Sequence, residues 1–501
     1  MREILAQALA LRALSRRPLA LGLLAIAFAT LAMVRAPQLV SDPDVFWLAA
    51  TGRDIVRSGH FPRVNAYSFV DGNHPWVTHE GLFAVVYSVG LELLGPAFVG
   101  LLVLVSASCL YALALHVLAS RGRTLAGTAL GGILVFTCEP AFLEPRPGYV
   151  SLIFVLAMIA LTMDRAPSLW RGAAVVLLEV VWTQAHGSFP LGVALIGVAA
   201  FEGGRSGRDR ALWLLTGAIA ATATIVNPYG LRLHGLVGRY LGGGDETARL
   251  IHSRVVEFFP LWRAMGTPFL DATSVVALAT VTALAVHALS RRRLLARALF
   301  SLSLVLMACL QVRHVTVAIL AGVLLLAPEV DSLVERLRED LPPVGTPSSF
   351  FLVPLPGLLA ALAIWSSVMN VRNDNDWLAT NLGGASLARL SLALPDHARV
   401  YVPFQPAAIV LWRAAERGVR VFFDPRNDCY SPEVARAGFD LEVADVPRAR
   451  VEQVLGRYVP DFALVPKGHP VYDALASDPR WIAWQRDDAW TLFQLSRLAA
   501  P

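Results

Sequence analysis

Residues 41–80 read SDPDVFWLAATGRDIVRSGHFPRVNAYSFVDGNHPWVTHE, the longest polar run in the first two hundred residues. It follows directly on an apolar run from Leu19 to Val34. Asp42 and Asp44 flank Pro43, which cannot continue a helix interior. His74, Trp76, His79 and Glu80 close the stretch before the chain turns apolar again. Acids, imidazoles and indoles gathered on one loop beside an apolar helix mark a site in preference to a connector. The competing reading is a solvated loop with Trp47 and Trp76 as interfacial anchors.

Working outward, composition sets the class. Of 501 residues 55% are hydrophobic and 16% charged, and the mean hydropathy is +0.55. Soluble domains are closer to a quarter charged, so much of this chain belongs in lipid. The formal charge of +5 comes from arginine-rich loops, with Lys467 the single lysine. No clustered basic stripe with interleaved aromatics is present, which argues against nucleic acid as a partner. Cys109, Cys138, Cys309 and Cys429 lie far apart and form no disulfide or metal spacing.

Arg2, Arg12, Arg16 and Arg17 precede the first apolar run, and no convincing cleavage site follows it. The expectation is a retained first span with a cytoplasmic N-terminus, which puts the 41–80 loop outside. Residues 81–94 are too short for a span of about 20 residues and are expected to lie at the interface. Further apolar runs sit near 97–119, 124–140, 148–163, 172–185, 188–203, 210–226, 270–289, 295–312, 314–329 and 350–370. With 97–119 running inward, Arg121/Arg123, Arg165/Arg171, Arg205/Arg208/Arg210, Arg291–Arg293 with Arg297, and Arg336/Arg338 all fall on the cytoplasmic side. The expectation is a polytopic α-helical membrane protein of about eleven spans in the inner (plasma) membrane, with a merged pair near 172–203 as the alternative.

The same topology collects other polar residues on the outer face. They are Glu144-Pro145-Arg146-Pro147-Gly148-Tyr149, then His186 within Gln184–Ser188, then Asn227–Gly230, and then Arg313-His314. Ionisable groups at membrane depth are costly and usually mark a pathway or site. Singly, each also reads as a turn or a satisfied interfacial side chain.

After Met369 the pattern changes, which divides the chain into 1–370, with its outer loop at 37–96, and 371–501. ARVYVPF, VRVFFD and DFALVP read as strands, AAIVLWRAAER and ARVEQVLGRY as helices, and WIAWQRDDAWTLFQL as a hairpin. The order implies an extracytoplasmic α/β domain with a partly parallel sheet. Asp424-Pro425-Arg426-Asn427-Asp428 ends the second strand, where such sheets often bind ligands. It is read here as an aspartate-capped turn.

Residues 1–370 resemble the GT-C superfamily of polytopic glycosyltransferases, which includes protein mannosyltransferases and lipid A aminoarabinose transferases. The residues carrying the resemblance are Asp42-Pro43-Asp44 opening the outer loop, Trp76-Val77-Thr78-His79-Glu80 before the interfacial helix, and Glu144–Tyr149. Asp-Pro-Asp departs from the more usual Asp-Glu pair. The resemblance implies a sugar moved from a polyprenyl-phosphate donor, held among membrane lipid, to a glycan, lipid or protein acceptor outside the cytoplasm. Inverting transfer needs a carboxylate to deprotonate the acceptor and cations to hold the leaving phosphate. Asp44 or Asp42 can be that base. Asp44 is preferred, because Val45-Phe46-Trp47 can seat it in a drier place. Arg146, Arg313 and His314 are candidates for the phosphate, and His79, Glu80 and His186 for substrate binding. The sequence establishes no cofactor, although Asp42, His74 and His79 could complete a divalent metal site for manganese, magnesium or zinc. A non-catalytic scaffold of envelope glycan synthesis and, further off, a transporter are the alternatives.

Overall fold

The computed structural model describes residues 42–95, 97–121, 146–203, 205–242, 244–267, 270–292, 294–332 and 384–496. The expected spans at 19–34, 124–140 and 350–370, and Glu144, lie outside the described residues. The described residues form two compact units. One is helical and draws on 100–230 and 255–332, and the other is mixed and draws on 42–99, 231–254 and 384–496.

The helical unit contains Pro147–Thr162, Leu169–Ala185, Pro190–Ala200, Gly207–Ala223, Ala272–Ser290, Leu295–Leu310 and Val315–Leu325. Proline at the first turn starts Pro147–Thr162 and Pro190–Ala200, where its missing N–H costs nothing. The runs near 172–203 are two separate helices, broken at His186–Phe189. Among the described residues two helices are long and apolar enough to cross a membrane, Ala97–Leu118 and Ala272–Ser290. Shorter apolar helices include Pro147–Thr162, Pro190–Ala200, Leu295–Leu310 and Val312–Leu325.

Three turns of this unit are tied by charge. Arg297, whose side chain is buried, pairs with Asp164 and with Glu202, and Arg205 reaches Glu202 at 2.7 Å. The sequence counted Arg297 as a topology marker. Its guanidinium also joins an ion-pair network with the half-exposed Asp164 and the buried Glu202.

In the mixed unit, β1 (Arg399–Tyr401), β2 (Arg420–Val421), β3 (Phe462–Pro466), β4 (Trp481–Arg486) and β5 (Trp490–Leu495) form one sheet in the order β2-β1-β3-β5-β4. β1 runs parallel to β2 and β3, and β5 antiparallel to β3 and β4, so the partly parallel sheet is as expected. β2 is shorter than VRVFFD implied, because Phe422 and Phe423 turn into the core. Helices Gly384–Ala393, Pro432–Asp440 and Pro470–Ala476 were not read from the sequence.

The polar 41–80 stretch is built into this unit. Asp44–Ser58 is a helix whose Phe46 ring lies 5.4 Å from Trp412 of the Ala407–Ala414 helix. Arg53 and Arg57 both pair with Glu416. The helix crosses Gly81–Leu94 so closely that a Cβ at Gly52 would collide with the Ala84 carbonyl. Between these helices the loop joins the sheet edge. Val421 N–H donates to Tyr67 O at 2.9 Å and Phe69 N–H to Val421 O at 3.1 Å. A second bridge pairs Val64 with Pro75, and Trp76 N–H donates to Arg63 O at 3.0 Å. That bridge fixes the backbone that carries Trp76, His79 and Glu80.

Candidate active site

The acidic residues begin the Asp44–Ser58 helix. Asp42 is buried, and its Oδ1 accepts the Asp44 N–H at 2.9 Å, an Asx turn across Pro43. Asp44 is half-buried, and its Oδ1 accepts the Trp47 indole N–H at 2.8 Å. Val45, Phe46 and Trp47 are all buried, so the apolar seat inferred from their identity is present. Trp47 meets Trp76 edge-on, with ring centroids 6.4 Å apart.

Trp76 leads to the Asp424–Asp428 turn, which the sequence marked at a strand end but read as a cap. The Arg426 guanidinium lies 4.6 Å from the Trp76 ring and 4.8 Å from that of Tyr67. It donates from Nε to Asp424 Oδ1 at 2.8 Å and from Nη2 to Asp424 Oδ2 and Asn65 Oδ1, each at 2.6 Å. Tyr430 hydroxyl donates to the same Asp424 carboxylate at 2.6 Å. The turn at Asp424–Asp428 is indeed aspartate-capped, with Asp424 accepting the Arg426 N–H. It also holds a fully buried ion pair. An Asp-x-Arg spacing at a strand end was the available signal.

Asp428 follows, its side chain only 7% exposed. Burial raises its carboxyl from the usual range to about 7, against the lowering effect of Arg426 and Arg239 and a hydrogen bond from Tyr240. His79 stands between two acids, its Nε2 3.7 Å from Glu80 and its Nδ1 4.0 Å from Asp428. The Tyr240 ring centroid lies 6.0 Å from the His79 ring. Thus His79 and Glu80 come together, while His74 is held by its own turn, donating its N–H to Asp71 O at 2.9 Å. Burial lowers the His74 imidazole below its ordinary value. Among the described residues no three His, Cys, Asp or Glu side chains converge as metal ligands, so Asp42, His74 and His79 do not form the expected set.

The basic residues form a second constellation, in the helical unit. Arg146 precedes the Pro147–Thr162 helix and donates from Nη1 to Glu257 at 3.1 Å. The Arg313 guanidinium lies 4.5 Å from the Phe258 ring, and Val312 N–H donates to Phe259 O at 2.9 Å, which ties 312–314 to 256–259. Burial alone would raise the Glu257 carboxyl, but Arg313, Arg146 and, less strongly, His314 hold it below its usual value. Arg146, Arg313 and His314 therefore share one locus, centred on an acid the sequence reading had passed over. Two guanidiniums and the N-terminus of the Pro147–Thr162 helix lie beside this carboxylate. His186 closes the Leu169–Ala185 helix. Its Nδ1 lies 2.8 Å from the Ser188 hydroxyl and 3.2 Å from the Ser188 backbone N. A Cβ at Gly148 would stand 3.4 Å from the His186 Nε2, so glycine keeps the helix start open to the imidazole.

No protein-family model matches the sequence, and no curated protein does. Solved structures do. The Archaeoglobus fulgidus oligosaccharyltransferase tethered to an acceptor peptide with the NVT sequon is similar at a TM-score of 0.52 and 11% identity, over 91% of this chain and 70% of that one. The same enzyme in complex with zinc and sulfate gives 0.51 and 10%, over 96% and 74%. ArnT from Cupriavidus metallidurans bound to undecaprenyl phosphate gives 0.51 and 14%, over 95% of this chain and 98% of that one. Identities this low speak for the fold alone. The chain has the fold of the GT-C membrane glycosyltransferases.

Proposed function

We propose that the chain is a glycosyltransferase that moves a sugar from a polyprenyl-phosphate donor to an extracytoplasmic acceptor, with inversion and with Asp44 as general base. The observation that carries this reading is the gathering of Arg146, Arg313 and His314 around Glu257 at the start of the Pro147–Thr162 helix, donors of the kind that hold a phosphate. Support for the donor class comes from the fold and from the undecaprenyl phosphate bound by one neighbour.

In this reading the acceptor O–H gives its proton to the Asp44 carboxylate as the acceptor oxygen attacks the anomeric carbon. The bond from that carbon to the phosphate oxygen breaks, and its electron pair leaves on the phosphate. Arg146 and Arg313 stabilise that charge with paired N–H donors. Trp47 holds the Asp44 carboxylate at one orientation through its indole N–H. Asp42 serves the turn backbone, which makes it the weaker candidate for base.

The experiment is sugar release from a polyprenyl-phosphate donor by purified protein, with membrane extract as acceptor source. Asp44→Asn should fold and bind donor while the rate falls by about 10²–10⁴-fold, the usual size of a general-base contribution. Wild-type turnover in that variant would remove Asp44 as base.

The proposed topology has the N-terminus in the cytoplasm, eleven spans, and residues 371–501 outside the plasma membrane. It rests on the arginine distribution. Ser206 and Ser477 are both exposed on the protein surface. Cysteine placed at Ser477 should react with an impermeant thiol reagent in intact cells, and at Ser206 only after permeabilisation. Equal reaction at both would break the model.

A further inference from the structure

The buried Asp424–Arg426 pair is expensive to form, and replacing such pairs by apolar residues often does not weaken a protein. Its retention calls for a role besides stability, and its surroundings supply one. The Arg426 guanidinium is clamped between two aromatic rings, and both connect to the helix that begins at Asp44. On one side Trp76 meets Trp47 edge-on at 6.4 Å, and the Trp47 indole N–H donates to Asp44 at 2.8 Å. On the other side Tyr67 hydroxyl donates to Asp54 at 2.5 Å, on the same helix. Arg426 is itself fixed by Asp424, by Asn65 and, through Asp424, by Tyr430.

We infer that Arg426 is a positioning residue for Asp44, acting through the Trp76 and Trp47 rings, so that the strand-end turn of the sheet sets the aim of the catalytic carboxylate. The inference rests on the assignment of Asp44 as base. The guanidinium suits this task because it offers donors at its edge for Asp424 and Asn65 and flat faces for two rings at once. A lysine would keep the charge and lose both the paired geometry and the faces. The link to Asp44 runs through Trp76 and Trp47, while Tyr67 and Asp54 hold the same helix on the other side.

The test uses the full chain in detergent micelles, labelled with 5-fluorotryptophan, the Trp47 fluorine resonance being assigned with Trp47→Phe. Two variants are compared with the wild type: Arg426→Lys, which keeps Asp424 neutralised, and Trp76→Leu, which leaves the ion pair intact. The remaining tryptophan resonances report folding. In both variants the Trp47 resonance should move by more than its linewidth or split. Turnover should fall roughly tenfold, since small misplacements of reacting groups cost on the order of 10²-fold at most sites. Affinity for undecaprenyl phosphate should stay within about twofold, because chemistry is being misaimed and uniform binding is kept. A Trp47 resonance that stays put in both variants overturns the inference, whatever the turnover. If Trp47 moves while Asp44→Asn retains full turnover, the relay stands as a structural device and it is the base assignment that falls.

Discussion

Glu257 in the helical unit and Asp428 in the mixed unit are both mostly buried carboxyls, with side chains 20% and 7% exposed, yet their acidities move in opposite directions. Burial pushes both up. Around Glu257 two guanidiniums and a histidine reverse the push. Around Asp428 the lowering pull of Arg426, itself paired with Asp424, and of Arg239 does not offset burial, and the carboxyl rises to about 7. This separates the two constellations chemically. One keeps its acid ionised beside two guanidiniums, and the other holds an acid whose burial favours the protonated form.

The sharpest way to break the comparison is through stability. Asp424→Ala leaves Arg426 buried and unpaired, and should cost about 3–5 kcal/mol. A melt of the purified protein should shift down by on the order of 10 °C. Glu257→Gln removes a more exposed partner and should cost only about 1 kcal/mol. Equal losses would mean that the two carboxyls are not distinguished by their surroundings.

A smaller effect separates them by pH. The Asp428 carboxyl is raised on folding, so its contribution is fully present below about pH 4 and is lost as pH rises through about 7. Asp428→Asn should therefore gain stability relative to wild type between pH 4 and 7. The Glu257 carboxyl is lowered, so its contribution is present above its ordinary value near 4.5 and is lost as pH falls through the folded value. Glu257→Gln should lose its disadvantage in acid. Paired chemical-denaturation curves should show the Asp428 effect between pH 4 and 7 and the Glu257 effect, of opposite sign, below about 4.5, and effects of the same sign would refute the contrast.

Much of this was legible in the sequence, and the reasons differ by region. Short apolar runs of strand length were enough for β3 and β5, which are buried on both faces, and the spacing of Val451, Val454 and Leu455 for the Arg448–Tyr458 helix. The seat of Asp44 followed from Val45-Phe46-Trp47, since an apolar triplet at a helix start must pack somewhere. Arg426 was not legible. Asp-Pro-Arg-Asn-Asp reads as a turn, and only the pairing of Tyr67 and Phe69 with Val421 brings Tyr67 and Trp76 to its faces. Glu257 escaped for the same reason, because its partners Arg146 and Arg313 are remote in the chain.

The central claim is a division of labour, and one crossed measurement tests it. Affinity for undecaprenyl phosphate and sugar turnover are measured side by side in Asp44→Asn, Arg146→Ala and Arg313→Ala. The arginine variants should lose about 1.5–3 kcal/mol of binding, roughly 10–100-fold, with lysine restoring only part of it. Asp44→Asn should keep its affinity and lose turnover. Arginine variants that bind undecaprenyl phosphate as the wild type does, or an Asp44→Asn protein that turns over normally, would contradict the account.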